Sequence, residues 1–505
     1  VPLPEWLNIA ELFLTRRLTE GRGGRVALRL AAGAGTSGAL TYAELDGLAS
    51  RFGTLLRDLG VRQEERVILA LPDSAEYAAA LFGILKIGAV AVMVNPGLPA
   101  DGLAAMVELA RARVAVVAPG TAPPVRHAVV IGADGDGPHL DCSAELEPAR
   151  THRDDPAIWL FSGGTTGRPK AAVQTHGSFA NTTELYGQRA MGWNEDDITL
   201  SVPKLYFGYA TGANLFFPLS VGGSAALFPE HPTAEVLFEQ IARHRPTILV
   251  NTPKMVAAMV EAARAGGAAA DLSSLRFATS AGEALPPSLY DRWKETFGVG
   301  LYDGLGTAEM WHVFVSNQPG AVRPGSLGRA VPGFDVAVRD ADGRDVPDGE
   351  VGRLWVRGDS LALGYWQDAP QTREAFRGEW YAGGDLVRRD ADGFVHYVGR
   401  GDDALKVGGK WLLPAEVEDC LLAHEAVIEA AVVGVPDQSG LTRPVAFVVP
   451  SAPADGLDAV LRQHCLDRLD AYKHPRKVFV VDDLPRTHLG KVDRGALRRR
   501  AAGQV

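Results

Sequence analysis

Through about the first 300 residues, short apolar runs of strand length alternate with longer stretches whose apolar positions recur every three or four residues. Arg66–Leu71, Val114–Ala118, Ala128–Ile131, Ala157–Phe161 and Thr247–Val250 read as strands, Tyr42–Leu59 and Ala234–Arg245 as amphipathic helices. Strands apolar on both faces need helices to cover and connect them, so this rhythm predicts a layered α/β architecture. The texture changes from Gly325. Short strands over Asp335–Arg339, Gly352–Val356 and Phe394–Tyr397 stand among Asp-Gly pairs at Asp342-Gly343, Asp348-Gly349 and Asp392-Gly393. Asp-Gly suits tight turns that need positive φ, so hairpins of a small β subdomain are expected. From Gly401 a third pattern begins, with helices over Pro414–Ala423 and Ala459–Leu469 and strands over Ala430–Val435 and Val445–Val449. That is enough for a small α+β domain. The expected division is an N-terminal domain over 1–401 and a C-terminal domain over 402–505.

Bulk properties narrow the picture. A chain of 505 residues is too long for one ordinary core. The one membrane-like run, Tyr77 to Val94, contains Lys86 and Gly88 and divides more naturally into a helix (Ala75–Ile87) and a buried strand (Ala89–Val94). A formal net charge of -10 argues against nucleic acid and anionic membrane as partners. Arg498, Arg499 and Arg500 read as the solvated face of a terminal helix. Cys142, Cys420 and Cys465 lie far apart without metal-ligand spacing, and Val1 to Arg25 lacks the apolar core of a signal peptide. A reducing, cytoplasmic setting is expected. With no Gly-x-Ser-x-Gly elbow and no His-Glu-x-x-His, hydrolase chemistry is disfavoured.

The strongest local signal is Ser162-Gly163-Gly164-Thr165-Thr166-Gly167-Arg168-Pro169-Lys170, set between the strand at Ala157–Phe161 and a second strand at Ala171–Gln174. Three glycines let backbone N–H groups turn toward an anion, three hydroxyls add donors, and Arg168 and Lys170 supply charge. A Walker loop needs a following helix and Gly-Lys-Ser/Thr, so this is a phosphate loop of another kind. Read with Ser280-Ala281-Gly282-Glu283-Ala284, Tyr302 to Met310, Gly384-Asp385, Gly399 to Lys410 and Gly490-Lys491, in that order over nearly the whole chain, it resembles the acyl-adenylate-forming superfamily of acyl-CoA ligases, adenylation domains and luciferases. Asp303 to His312 resembles the benzoate–CoA ligase branch in particular.

The resemblance implies ATP, Mg2+ and coenzyme A as cofactors and assigns roles. Lys491 is the catalytic lysine that bridges the attacking carboxylate and the α-phosphate, two anions that at 4 Å repel by about 4 kcal/mol at an effective dielectric near 20. Glu309 is the catalytic metal ligand, as a hard cation prefers. Adenine is expected against Gly282, Glu283, Asp303 and Gly304, and the ribose hydroxyls at Asp385 and Arg400. Gly304-Leu305-Gly306 is not a dinucleotide fingerprint, because Glu309 stands where a third small residue belongs. Asp402 is the hinge of a lid with two orientations, the second of which brings Gly408 and Gly409 to a thiol tunnel. Two departures stand out: Ala308 occupies the usual threonine position, leaving Thr307 one place earlier, and Gly383 replaces the usual hydroxyl residue before Gly384-Asp385.

Lys204 to Gly212 resembles the segment lining the acid pocket. Amino-acid-activating relatives carry an Asp where this chain has Gly208, so a substrate ammonium would lack a partner. Gly208, Tyr209, Ala281, Gly304 and Gly306 suit a planar ring, and His312 either meets a ring substituent or caps the wall. Seen alone, the run Tyr206–Tyr209 would read as core packing. The expected partners are thus a small aromatic acid and CoA, with a separate carrier protein as the alternative acceptor. The family also allows a homodimer. Gly358-Asp359-Ser360-Leu361 spells a carrier attachment motif, but its place inside the β subdomain makes it a coincidence of letters.

Overall fold

The computed structural model describes residues 2–30, 38–121, 123–132, 143–162, 169–266, 271–407, 410–437, 440–452, 456–486, 492–502 and 504. Two large sheets dominate. The first runs in the order His127–Val130, Val114–Val117, Arg66–Ala70, Val90–Met93, Pro156–Ser162, Lys170–Thr175, parallel except for the last pair. The second places Ile198–Ser201, Ile248–Asn251, Phe277–Ser280 and Gly300–Gly306 side by side in parallel, then turns antiparallel through Val313–Ser316.

Alternate residues of each strand face different cores, which explains the near-continuous apolar runs. Val67 and Leu69 join the large central core, while Ile68 and Ala70 face the layer containing Leu103 and Met106. Ile248 and Val250 face the same central core, and Leu249 faces Leu237 and Val256. The central core holds the helices Tyr42–Asp58 and Ala75–Lys86 between the two sheets. A helix covered on all sides must be apolar all round, and this accounts for the membrane-like run. Its one charge, Lys86, is 1% exposed and is neutralised by Asp46 at 2.7 Å, with Ser50 Oγ at 2.9 Å. Among the described residues, no helix is long and apolar enough to cross a membrane. The Tyr42 helix begins where its sequence says it should: Thr41 and Glu44 cap each other's backbone N–H.

A five-stranded antiparallel sheet follows, built on Asp335–Arg339, Val351–Arg357, Trp380–Arg389 and Val395–Arg400 with the short Phe376–Arg377 at its edge. The Asp-Gly reading needs one correction. Asp342-Gly343 and Asp348-Gly349 both lie in the single connection between Asp335–Arg339 and Val351–Arg357, so they shape one hairpin and not two. The final segment pairs Leu405–Val407 with Lys410–Leu412, and sets Val427–Pro436, Thr442–Pro450 and Lys477–Val480 against the helices Pro414–Leu422 and Leu457–Leu466.

Candidate active site

The phosphate segment is a hairpin connection. Pro156–Ser162 and Lys170–Thr175 are antiparallel, with Ser162 opposite Lys170, so the two ends of the segment face each other. Gly163, Gly164, Thr165, Thr166, Gly167 and Arg168 lie outside the described residues. Beside this pair stands Glu309, 4% exposed, whose carboxylate accepts from the Tyr365 hydroxyl at 2.6 Å and from Ser162 Oγ at 3.2 Å. Among the described residues, no lysine or arginine forms an ion pair with Glu309; Lys170 instead bonds Gln371, its ammonium 5.4 Å from the Tyr365 ring centroid. A buried carboxylate served only by hydroxyls calls for a cation. Also among the described residues, no group of three or more carboxylate, His or Cys side chains could hold a metal alone. That fits magnesium, which is commonly held by one or two carboxylates together with substrate phosphates and water.

Glu309 sits in a short helical turn, Ala308–Met310, capped by Thr307, whose Oγ1 accepts from Met310 N at 3.3 Å. Ala308 contributes its carbonyl, which accepts from Gln174 Nε2 at 2.7 Å. The turn ends at Trp311, a non-glycine residue at φ +62°, held there by a buried indole packed on Phe179, Phe216 and Phe217. This enforced turn delivers His312.

On the nucleotide side, Gly282 has φ +101°, the left-handed backbone that glycine tolerates. Glu283 is partly exposed and accepts from Arg486 Nη1 at 3.2 Å, while Ala281 is buried. Burial pushes the Asp303 carboxyl up to about 8, against the opposing pull of the Ser280 hydroxyl and the Leu285 and Gly304 N–H groups, so it can carry a proton at neutral pH. Asp385 and Arg400 are cross-strand neighbours, N to O 3.6 Å. A Cβ on Gly383 would lie 3.2 Å from the Tyr381 ring, so that ring takes the space where the usual hydroxyl side chain would start.

The acid-pocket segment is pinned at its start: Leu205 N donates to Asp73 at 2.8 Å, and the Lys204 ammonium lies 3.4 Å from the Phe228 ring centroid. The chain then enters the helical turn Gly208–Ala210 and a wider turn over Thr211–Phe216 that the sequence did not foretell. Tyr209 is half-buried and its hydroxyl meets Thr279 Oγ1 at 2.7 Å. His312, 2% exposed, packs its ring on Tyr186, Tyr209 and Phe217. Its Nε2 lies 3.0 Å from the Tyr209 carbonyl, which can only accept, so Nε2 carries the proton. Burial holds the ring neutral, pushing it down to about 3.

The pocket glycines have a structural cause as well as the expected one. A Cβ on Gly306 would lie 2.4 Å from the His312 carbonyl oxygen, and one on Gly304 2.8 Å from that of Val315. One on Gly208 would press on Leu160 at 3.0 Å. Close pairing of Gly300–Gly306 with Val313–Ser316 therefore excludes side chains at Gly304 and Gly306 whatever the ligand.

Lys491, Gly408 and Gly409 lie outside the described residues; Asp402 falls in the short turn Gly401–Asp403. Ser360 is fully buried and bonded to Asn181 and to Ser178 O at 3.0 Å each, so the attachment-motif letters offer no accessible hydroxyl. The sequence reading missed Tyr365, Gln371 and Arg486. Only the Pro485-Arg486 step, just ahead of Lys491, carried a hint of Arg486.

The AMP-binding enzyme profile matches residues 15–366, and that of the AMP-binding enzyme C-terminal domain matches residues 416–491. The chain is 38% identical to the benzoate–CoA ligase of Thauera aromatica over 99% of its own length and 97% of that protein. Among solved structures, the anthranilate CoA ligase AuaEII in complex with anthranoyl-AMP superposes with a TM-score of 0.91 at 38% identity, covering 99% of this chain and 98% of that one. A benzoate CoA ligase from Burkholderia xenovorans LB400 gives 0.87, also at 38% identity, covering 97% and 99%. The chain belongs to the AMP-binding enzyme family.

Proposed function

We propose that this chain activates an aromatic carboxylic acid, benzoate or a substituted benzoate, with ATP and passes the aryl group to coenzyme A. The carboxylate attacks the α-phosphorus, pyrophosphate leaves, and aryl-AMP forms. The CoA sulfur then attacks the acyl carbon, AMP leaves, and the thiol proton is lost to solvent. The observation that carries the aryl choice is the pocket wall. Its Tyr209–His312 face is neutral and aromatic, and Gly208 packs on Leu160 where an amino-acid-activating relative has a carboxylate.

Tyr209 and His312 orient the ring, and Gly306 lets the carboxylate approach the nucleotide. Glu309, set by Tyr365 and Ser162, would hold magnesium, which when bound offsets charge on the leaving phosphates. Ser162 and Lys170, with the intervening segment, cradle phosphate oxygens. Gly282, Glu283, Asp303 and Gly304 hold adenine, and Asp385 and Arg400 take the ribose hydroxyls. Lys491 stabilises the charge that develops during adenylation. Asp402 turns the lid, and Gly408 and Gly409 then border the thiol path. The division at 401/402 belongs to this reading, as do a cytoplasmic setting, which suits the free thiols of Cys420 and Cys465, and a homodimer.

Pyrophosphate release over benzoate, hydroxy-, amino- and halobenzoates, cinnamate, hexanoate and amino acids, each with and without CoA, tests the reading. Fast CoA-dependent turnover of one benzoate is the expected result. Adenylate formation that CoA does not turn over would move the acceptor to a separate carrier protein, and turnover of hexanoate or an amino acid alone would overturn the aryl assignment.

A further inference from the structure

Arg486 and Val492, which flank the stretch carrying Lys491 in the sequence, form an antiparallel bridge. At that place the Arg486 guanidinium spans two carboxylates. One is Glu283, in the loop that follows Phe277–Ser280; the other is Glu429, at the start of Val427–Pro436. Glu429 is mostly buried and also meets the Lys254 ammonium at 3.0 Å, and Lys254 reaches Asp483 at 3.5 Å. The chain of charge therefore runs Glu283, Arg486, Glu429, Lys254, Asp483, alternating in sign. It crosses three times between residues before 401 and residues after 402.

The placement of the two N-terminal members matters. Lys254 opens the helix Pro253–Arg264 directly after the strand Ile248–Asn251, and Glu283 follows the neighbouring parallel strand Phe277–Ser280. Both thus stand at the carboxyl ends of adjacent parallel strands, the edge at which open α/β sheets bind their ligands. A network fixed there holds Arg486 against the loop expected to receive adenine. Its members are half-exposed at Lys254 and Glu283 and more buried at Arg486 and Glu429. Such pairs are individually weak and open easily, which suits a contact that must be made in one orientation and broken in another.

We propose that Lys254, Glu429 and Arg486 form a latch that selects the adenylating orientation of the C-terminal lid, with Lys254 a positioning residue remote from the reacting atoms. The inference rests on the two-orientation reading of the ligase. Lys254→Glu places a third carboxylate beside Glu429 and Asp483 and repels the lid. Acid-dependent ATP–pyrophosphate exchange should fall about five- to tenfold, the range expected when a small ion-pair network becomes repulsive. Thioester formation from supplied aryl-AMP and CoA should stay within about twofold of the parent, because the second step does not use the latched orientation. Lys254→Arg keeps the charge and should keep exchange. Independently of catalysis, backbone amides of residues 283–285 and 427–431 should lose hydrogen-exchange protection in Lys254→Glu and retain it in Lys254→Arg. Equal losses in both half-reactions, or unchanged exchange together with unchanged amide protection, would overturn the latch. A parent protein that exchanges pyrophosphate with no aryl acid would instead defeat the functional reading, and the amide measurement would still judge the latch.

Discussion

The aromatic packing around Trp311 and His312 and the contact between residues before 401 and after 402 are built by opposite means. In the first, Trp311 and His312 are wedged among Phe179, Tyr186, Phe216 and Phe217, and the strands Gly300–Gly306 and Val313–Ser316 pass so close that glycine is required at Gly304 and Gly306. In the second, contact across the chain is made by partly exposed charges: Lys254 with Glu429 and Asp483, and Arg486 with Glu283. Dry packing has no graded alternative, since small shifts forfeit many contacts at once. Ion pairs in water exchange for hydration at little net cost. The proposed fixed pocket and separable lid would each follow from which forces act where.

That contrast can be broken, beginning with the largest effect. Lys491→Ala should lower adenylation by about 10²–10³ while sparing thioester formation from preformed aryl-AMP, measured by pyrophosphate exchange and by single-turnover thioester assay. Equal loss in both steps would mean that the lid does not change role. Glu309→Gln should come next, raising the magnesium concentration needed for half-maximal nucleotide binding by roughly tenfold or more, because the buried charge facing the phosphates is gone. A titration of nucleotide binding against magnesium reads this without turnover.

The wall should answer differently. Gly306→Ala forces a Cβ against the His312 carbonyl and should cost about 1–3 kcal/mol of stability, seen as a lower thermal midpoint, with a higher KM for the acid and little change in that for ATP. The buried titratable groups should also give a pH signature. His176 and His312 are each pushed down to about 3 by burial, so below the ordinary 6.5 the unfolded chain takes up protons that the folded chain refuses. Their contribution is complete above pH 6.5 and is lost as pH falls toward 3. Asp303, raised to about 8, acts in the other sense: its contribution is complete below the ordinary 3.8 and is lost as pH rises through 8. A thermal midpoint that declines on both sides of pH 6–7 is expected, and one that rises steadily toward pH 4 would contradict the buried neutral histidines.

Most of the architecture was legible because it depends on local periodicity. The strands at Arg66–Ala70 and Ile248–Asn251 and the helix Tyr42–Asp58 lie within a residue or so of their predicted limits, since burial on known faces leaves a pattern in the chain. The Asp-Gly pairs were placed correctly as turns but miscounted as hairpins, because a turn signal says nothing of which strands it joins. The wide turns at Thr183–Ala190 and Thr211–Phe216 left no mark in the periodicity; Tyr186, Phe216 and Phe217 in them are buried in the central core. In the site, Glu309 could be singled out from its own motif. Its partner Tyr365, 56 residues further on, could not, and neither could the meeting of Arg486 with Glu283 across 203 residues. Contacts of that span are set by how sheets and lid dock, and no spacing rule reaches them.

The tight pairing at Gly304 and Gly306 also bears on how this enzyme's acid preference could change over evolutionary time. With Gly304 and Gly306 crowded by the neighbouring strand, any substitution there carries a stability cost along with its effect on acid preference. Variation in acid choice is channelled to the wall, to Tyr209 and the residues behind His312. A mutant library aimed at new aryl acids would therefore be spent best on those positions, leaving both glycines untouched.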